Sequence, residues 1–329
     1  MRVLVVGGAG YIGSHTVYEL KRAGHEVVVF DNLSTGNREA IPEDVVFFEG
    51  DLQVATDVKK VLATHKFDIV MHFAAKLIVP ESVEQPIVYF ENNVHGVAIL
   101  LAEMLISGVN NVMFSSTAAV YGEPDTLDAM DENALLNPIN PYGTSKRAAE
   151  DLIKAVEISN GMKHVIFRYF NVAGADASGE IGLSPKNAPT HLIPAINETA
   201  LGLRPLFKIF GTDYPTADGT CIRDYIHITD LAIAHVLGAE YLIKTKKSQI
   251  LNLGTNDGFS VQEIFDATEK VLGQKIALQL ESRRAGDPAM LVASNNKAKE
   301  ILGWNPTHSV EDMIISDYNW RKMPKFTNR

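Results

Sequence analysis

The chain is nearly devoid of cysteine, with Cys221 the single example among 329 residues. One thiol excludes an internal disulfide framework and suits a reducing cytosol, so a cytoplasmic location is expected. Nothing near Cys221 in the chain would activate it as a nucleophile, and a small buried residue is the better reading. Long apolar runs are missing too. The first, Val3 to Val6, runs straight into glycines, which fits neither a signal peptide nor a membrane span. There is no dense lysine and arginine cluster, and with a net charge of −10 nucleic acid is not an expected partner. The ten histidines show no metal-ligand spacing. No metal is expected, and His227 and His235 are read as packed or hydrogen-bonded. Internal repeats and low-complexity segments are absent. What remains, 46% hydrophobic and 21% charged, can bury a large core in two domains, or in one with an elaborated C-terminal part.

The organising stretch lies at the start. The unbroken β-branched run Val3-Leu4-Val5-Val6 reads as a strand buried on both faces. Gly7, Gly10 and Gly13 follow three apart, with Tyr11 and Ile12 between the last two, and Gly8-x-Gly10-x-x-Gly13 also fits a dinucleotide fingerprint. Without Cβ atoms the backbone turns sharply and lets a pyrophosphate approach a helix N-terminus, here the helix from Tyr11 to Ala23, which Gly24 ends. A second strand, Val27 to Phe30, ends at Asp31, 18 residues after Gly13. A carboxylate at that spacing suits adenosine ribose hydroxyls and repels a 2′-phosphate, which favours NAD over NADP.

Further strands follow at Val45–Phe48, Asp68–Phe73 and Asn111–Ser115, alternating with helices at 54–63 and from Pro86 to Ile106. This alternation predicts an α/β fold with a doubly wound parallel sheet of Rossmann type. Its ligand edge collects the glycine turn, Asp31, Asp51, Ala74–Lys76 and Ser115–Thr117. Asp51 has two compatible roles, meeting an adenine amino group and capping the next helix. Asn92 and Asn93 fall inside a helix that asparagine does not favour, so they need a reason.

Tyr142 and Lys146 are four apart on a helix reaching about Ser159 and share a face. A nearby ammonium and a positive nicotinamide would stabilise the phenolate and lower the tyrosine pKa. Tyr142 could then take a hydroxyl proton as hydride leaves the same carbon, with Thr117 bonded to that oxygen. Alone, such a pair also reads as a solvated helix face; after a nucleotide-binding half-sheet it reads as chemistry.

Together Gly7-x-x-Gly10-x-x-Gly13, Asp51-Leu52, Ser115–Gly122 and Tyr142-x-x-x-Lys146 resemble the extended short-chain dehydrogenase/reductase family. Arg168-Tyr169-Phe170-Asn171, Phe210–Tyr214, Arg223–His227 and Arg283–Asp287 narrow the resemblance to its nucleotide-sugar 4-epimerases, over essentially the whole chain. The resemblance implies that Asp31, Asn32, Asp51, Leu52, Lys76, Asn92, Tyr142 and Lys146 hold NAD, alongside Phe73, Ala74, Ala75, Ser115 and Phe170. It places Phe170 and Asn171 between the nicotinamide and the sugar nucleotide. Arg223 and Arg284 would grip the UDP pyrophosphate, where a planar charged fork suits phosphate, and Asp287 the uridine ribose. Phe210, His191, Leu192 and Leu291 complete the expected substrate contacts. Thr117 replaces a common serine but keeps the hydroxyl. His191 stands where some relatives carry asparagine. Leu291 occupies a position that bears on whether an N-acetyl group fits, so specificity beyond UDP-glucose and UDP-galactose stays open, UDP-N-acetylhexosamines included.

The implied activity is reversible C4 inversion of UDP-galactose and UDP-glucose through a transient 4-keto sugar, within galactose metabolism. A 4,6-dehydratase would need an acid–base pair after Thr117, where Ala118-Ala119 stand. A plain dehydrogenase is less well explained by the arginine motifs, and a dinucleotide-sensing regulator would not need both Tyr142 and Lys146. The expected division is an NAD-binding domain over 1–170 and a smaller α/β UDP-sugar domain over 171–329, with some segments returning to the first. Residues 173–187 read as a loop over the cleft, His191–Leu201 as a helix, Ser260 and Glu263 as a capping box, and Trp304 as core. By resemblance, helices 86–106 and 142–159 pair with a second copy as a homodimer.

Overall fold

The computed structural model describes residues 1–123, 128–183, 191–284 and 288–326. Strand β1 (Arg2–Val6) passes through the glycine turn into α1 (Tyr11–Arg22) and on to β2 (Glu26–Asp31). Then come β3 (Val46–Glu49), α2 (Ala55–Thr64), β4 (Ile69–His72) and two short helices, α3 (Val79–Glu84) and α4 (Pro86–Phe90). A π-helical turn, Glu91–His95, carries α4 into α5 (Gly96–Ser107), followed by β5 (Asn111–Ser115), α6 (Pro141–Asn160) and β6 (Lys163–Tyr169). The remainder runs β7 (Asn171–Ala173), α7 (Leu192–Ala200), β8 (Phe207–Phe210), β9 (Ile222–His227), α8 (Ile228–Thr245) and β10 (Gln249–Leu253). It closes with β11 (Gly258–Ser260), α9 (Val261–Leu272), β12 (Leu278–Glu281), β13 (Met290–Leu291), α10 (Asn296–Leu302) and α11 (Val310–Lys322).

The chain divides into two compact units. One comprises Met1–Gly122, Ala134–Arg168 and Ala232–Leu251; the other comprises Glu123–Asn133, Tyr169–Leu231 and Asn252–Arg329. In the first, a seven-stranded sheet has the order β10-β6-β5-β4-β1-β2-β3, and the pairings from β6 across to β3 are parallel. The apolar strands are buried as a doubly covered sheet requires: Val3, Leu4 and Val5 are 0% exposed. Leu4, Val28, Val70, Val112 and Ile166 pack with Val61, Leu100, Met104 and Ile153 from the covering helices.

Strand order reverses between β1 and β4, the switch point where such sheets bind ligands. Gly7 sits there with φ +78°, and a Cβ on it would lie 2.4 Å from the Ala74 backbone nitrogen. One on Gly13 would lie 2.3 Å from the Gly7 carbonyl oxygen. Only glycine lets these three backbones meet.

The helix expected over 86–106 is interrupted, and Asn93 is the reason. The π-turn brings its buried side chain to the chain leaving β4. Oδ1 accepts the Lys76 N–H at 2.9 Å, while Nδ2 donates to the Lys76 carbonyl at 3.0 Å and to the Ser145 hydroxyl at 3.0 Å. A π-turn places one extra residue in the winding, often where function requires it. The expected capping role of Asp51 does not occur. Helix α2 starts later, with Val54 as its N-cap, and Asp51 Oδ1 instead closes a local turn by accepting the Gln53 N–H at 2.8 Å.

In the second unit β11, β9 and β13 lie side by side, β7 also pairs with β9, and β8 pairs with β12. Ile193, Ile196, Phe207, Ile209, Tyr225, Ile264 and Ile314 lie in its core. Ser260 and Glu263 form the capping box at α9. Trp304 is 2% exposed, and its indole N–H donates to the Asp230 carbonyl at 2.9 Å. Cys221 is buried. Among the described residues no helix is long and apolar enough to cross a membrane.

Asn93→Ala removes four hydrogen bonds and leaves the Lys76 backbone unsatisfied. It should cost about 2–4 kcal/mol of stability, readable as a lowered urea midpoint. An unchanged midpoint would show that this contact does not hold the π-turn in place.

Candidate dinucleotide and proton-transfer site

At the carboxyl edge of the first sheet, α1 begins without a side-chain cap and without an acid in its first turn. Its N-terminal N–H groups and positive dipole end are therefore oriented for an anion. The expected loop residues gather around this turn. Asp31 is 8% exposed; Oδ2 accepts the Ala9 N–H at 2.9 Å and Oδ1 the Leu33 N–H at 2.8 Å. A carboxylate so anchored keeps further acceptor capacity for hydroxyl groups. Asn32 donates to Asp51 Oδ2 at 3.1 Å, joining the loops after β2 and β3. Leu52 is buried in the core beside Gly96.

After β4, Phe73 packs its ring 4.9 Å from that of His235, and Ala74 and Ala75 are half-buried. Lys76 Nζ lies 3.4 Å from Glu81 Oε1. Asn92 donates to Asn93 Oδ1 at 2.9 Å; of the two asparagines the sequence marks in this helix, it is Asn93, and not the expected cofactor contact Asn92, that binds Lys76. The glycine cradle, uncapped helix start and anchored carboxylate fit a dinucleotide.

Strand β5 ends beside the first turns of α6. Asn140 caps that helix by accepting the Gly143 N–H at 2.9 Å, which sets Tyr142 in the first turn. The Thr117 hydroxyl lies near enough to its phenol to favour the phenolate, and its ring meets the buried Tyr89 edge-on at 6.5 Å. Thr117 also accepts the Ala119 N–H at 3.1 Å. One turn further on, Lys146 is 2% exposed. Its Nζ donates to the Ser115 carbonyl at 2.8 Å and lies 4.7 Å from the centre of the Phe114 ring.

Burial dominates the electrostatics of this pair. It pushes the Tyr142 phenol above its usual range, opposed by the neighbouring Thr117 hydroxyl. It pushes Lys146 down to about 7, opposed by the Glu150 carboxylate. The phenol therefore moves opposite to the lowering expected from a neighbouring ammonium, because desolvation penalises both charged forms. His72, 1% exposed beneath them, is held down to about 3 by burial and by the Lys146 charge, and is neutral near pH 7.

The second unit carries the remaining expected residues. Phe170 is half-buried between β6 and β7. Asn171, in β7, donates to the Asp224 carbonyl at 3.2 Å. His191 is the N-cap of α7, which Leu192 begins, and burial together with the Arg321 charge lowers its pKa. Arg223 lies on the central strand β9 opposite Leu291 of β13. Its neighbour Asp224 is not its counter-ion. Alternate side chains of a strand face opposite ways, and Asp224 is buried, accepting from Thr255 at 2.9 Å and from Ala293 N–H at 3.1 Å. Arg283 pairs with Asp213 at 2.6 Å, whereas the Arg284 guanidinium lies 3.9 Å from the centre of the Phe210 ring. Asp287 lies outside the described residues.

A family model described as the NAD dependent epimerase/dehydratase family matches residues 3–254. A UDP-glucose 4-epimerase of Halalkalibacterium halodurans is 47% identical, over 98% of this chain and 96% of its own. A crystal structure of UDP-glucose 4-epimerase superposes with a TM-score of 0.96 at 46% identity, covering 100% of both chains. The Bifidobacterium longum UDP-glucose 4-epimerase, solved in complex with NAD+ and UDP, superposes with a TM-score of 0.92 at 36% identity, over 98% of this chain and 99% of its own. This chain belongs to the NAD dependent epimerase/dehydratase family.

Proposed function

We propose that this protein is an NAD-dependent isomerase that interconverts UDP-galactose and UDP-glucose by inversion at C4. The observation that carries the reading is Tyr142 beside the Thr117 hydroxyl, with Lys146 buried one turn along the same helix, at the sheet edge that bears the glycine turn. Similarity to curated UDP-glucose 4-epimerases over nearly the whole chain supports it.

Gly7, Gly10, Tyr11, Ile12 and Gly13 would hold the cofactor's pyrophosphate, Asp31 and Asn32 its adenosine ribose, Asp51 and Leu52 its adenine, and Lys76, Asn92, Ser115 and Lys146 the remainder. Bound NAD supplies reversible oxidation of the C4 carbon. Tyr142 removes the C4 hydroxyl proton and later returns it, passing through a 4-keto sugar. Thr117 holds the same oxygen, and the Lys146 ammonium stabilises the phenolate. Arg223 and Arg284 bind the UDP pyrophosphate, with Phe210, Asn171, His191, Leu192, Leu291 and Asp287 contributing contacts. A firmly held nucleotide and a loosely held hexose let the ketose turn over before C4 is reduced from its other face. Oxidation and reduction cancel, so the cofactor stays bound.

The proposed assembly is a homodimer. On α3, α4 and α6, Val83 is 63% exposed, Ile87 72% and Ile158 87%. Apolar side chains exposed to this degree on neighbouring helices suit a second copy of the same surface.

Purified protein given UDP-galactose without added NAD should form UDP-glucose. Tyr142→Phe should keep its NAD and lose activity by about 10²–10⁴-fold; full turnover in that variant eliminates Tyr142 as the base. Burial already raises the phenol pKa, so removing the ammonium in Lys146→Ala should move the onset of activity to higher pH. Running the same assay with UDP-N-acetylgalactosamine tests the pocket around Leu291. Ile87→Asp combined with Ile158→Asp should give a monomer by sedimentation, and an unchanged dimer would place the interface elsewhere.

A further inference from the structure

Glu150 lies on α6 one turn beyond Lys146 and two turns beyond Tyr142, so the three side chains share a helix face. It is 0% exposed, and a carboxylate in that position must be paired. Oε1 accepts the Ser116 hydroxyl at 2.5 Å and Arg168 Nε at 3.0 Å, and Oε2 accepts Arg168 Nη2 at 2.6 Å. Arg168, itself 2% exposed, donates its remaining Nη1 to the Tyr121 hydroxyl at 3.1 Å. Three successive residues leaving β5 thus meet three successive turns of α6. The Thr117 hydroxyl meets Tyr142, the Ser115 carbonyl meets Lys146, and the Ser116 hydroxyl meets Glu150.

A buried ion pair is a poor stability device, since apolar residues of similar volume often serve as well or better. What it does supply is a fixed charge at a fixed depth. We propose that Glu150 is a positioning residue for Tyr142 and Lys146: it seats α6 against β5 and β6, and it favours the state in which the amine, not the phenol, holds the proton. The proposal rests on reading Tyr142 as the base. When the pair carries one proton, it exists as ammonium and phenolate or as amine and phenol. A negative charge on the lysine side of the helix favours the first. The other groups facing the pair do not substitute for it. His72 of β4 is neutral, and Tyr89 of α4 is an un-ionised phenol bonded to Glu81, which in turn pairs with Lys76. Arg168 of β6 pairs with both Glu150 oxygens, and of the two it is Glu150 whose charge bears on Lys146.

Glu150→Gln combined with Arg168→Met removes both charges without stranding either. In the NAD-bound enzyme, tyrosinate absorbance is titrated against Tyr142→Phe, and kcat and KM for UDP-galactose are followed over the same pH range. The double variant should raise the pH at which the Tyr142 phenolate appears by about one unit, lower kcat near neutrality about tenfold, and leave KM within about twofold. Ser116→Ala should shift the phenolate in the same direction by less. An unmoved phenolate midpoint, or a loss of kcat equal at every pH, overturns the proposal. If the double variant does not fold, Ser116→Ala decides alone, and wild-type values in it overturn the proposal. Absence of epimerisation by the wild-type protein would refute the function, whereas the absorbance titration still reports on Glu150.

Discussion

The first unit depends on keeping an ammonium where water does not reach. Lys146 is held by a backbone carbonyl and an aromatic face while burial works to strip its proton. Such a group tolerates little displacement, because its remaining stabilisation comes from short, directed contacts in a low dielectric. The end of β5 is accordingly polar at consecutive positions, and α6 is pinned through its cap as well as along its face. The same burial keeps the Tyr142 phenol protonated near neutral pH. Proton release from this phenol near neutral pH therefore calls for positive charge placed beside it.

Division of labour follows from the two units. The glycine turn, anchored carboxylate and titrating pair all belong to the sheet-bearing unit, and Arg223 and Arg284 to the other.

Much of this was legible in the order of residue types. Unbroken β-branched runs ending in glycine or acid mark strands covered on both faces, and the Tyr142–Lys146 spacing is a helical turn whatever surrounds it. What sequence could not resolve was burial and direction. Asn92 and Asn93 are equivalent on paper, and only the π-turn decides that Asn93 reaches Lys76. Arg223 and Asp224 look like neighbours that neutralise each other, yet the strand turns them apart. Nothing in the sequence marks Glu150, and only its complete burial sets it apart. Asp51 looked like a cap because the distance to the next helix could be misjudged by a few residues.

The π-turn also constrains how the chain can change in length. An insertion in a surface loop alters little, but a further residue between Glu91 and His95, or rewinding of that turn as an ordinary helix at unchanged length, would shift the register of α5. Every side chain beyond it would then rotate by about 100°, carrying Leu100, Leu101 and Met104 away from the sheet they cover. The irregular turn thus couples the reading frame of an entire helix to one amide, and relatives that share the Asn93 contact should keep this segment at a fixed length even where its residues differ.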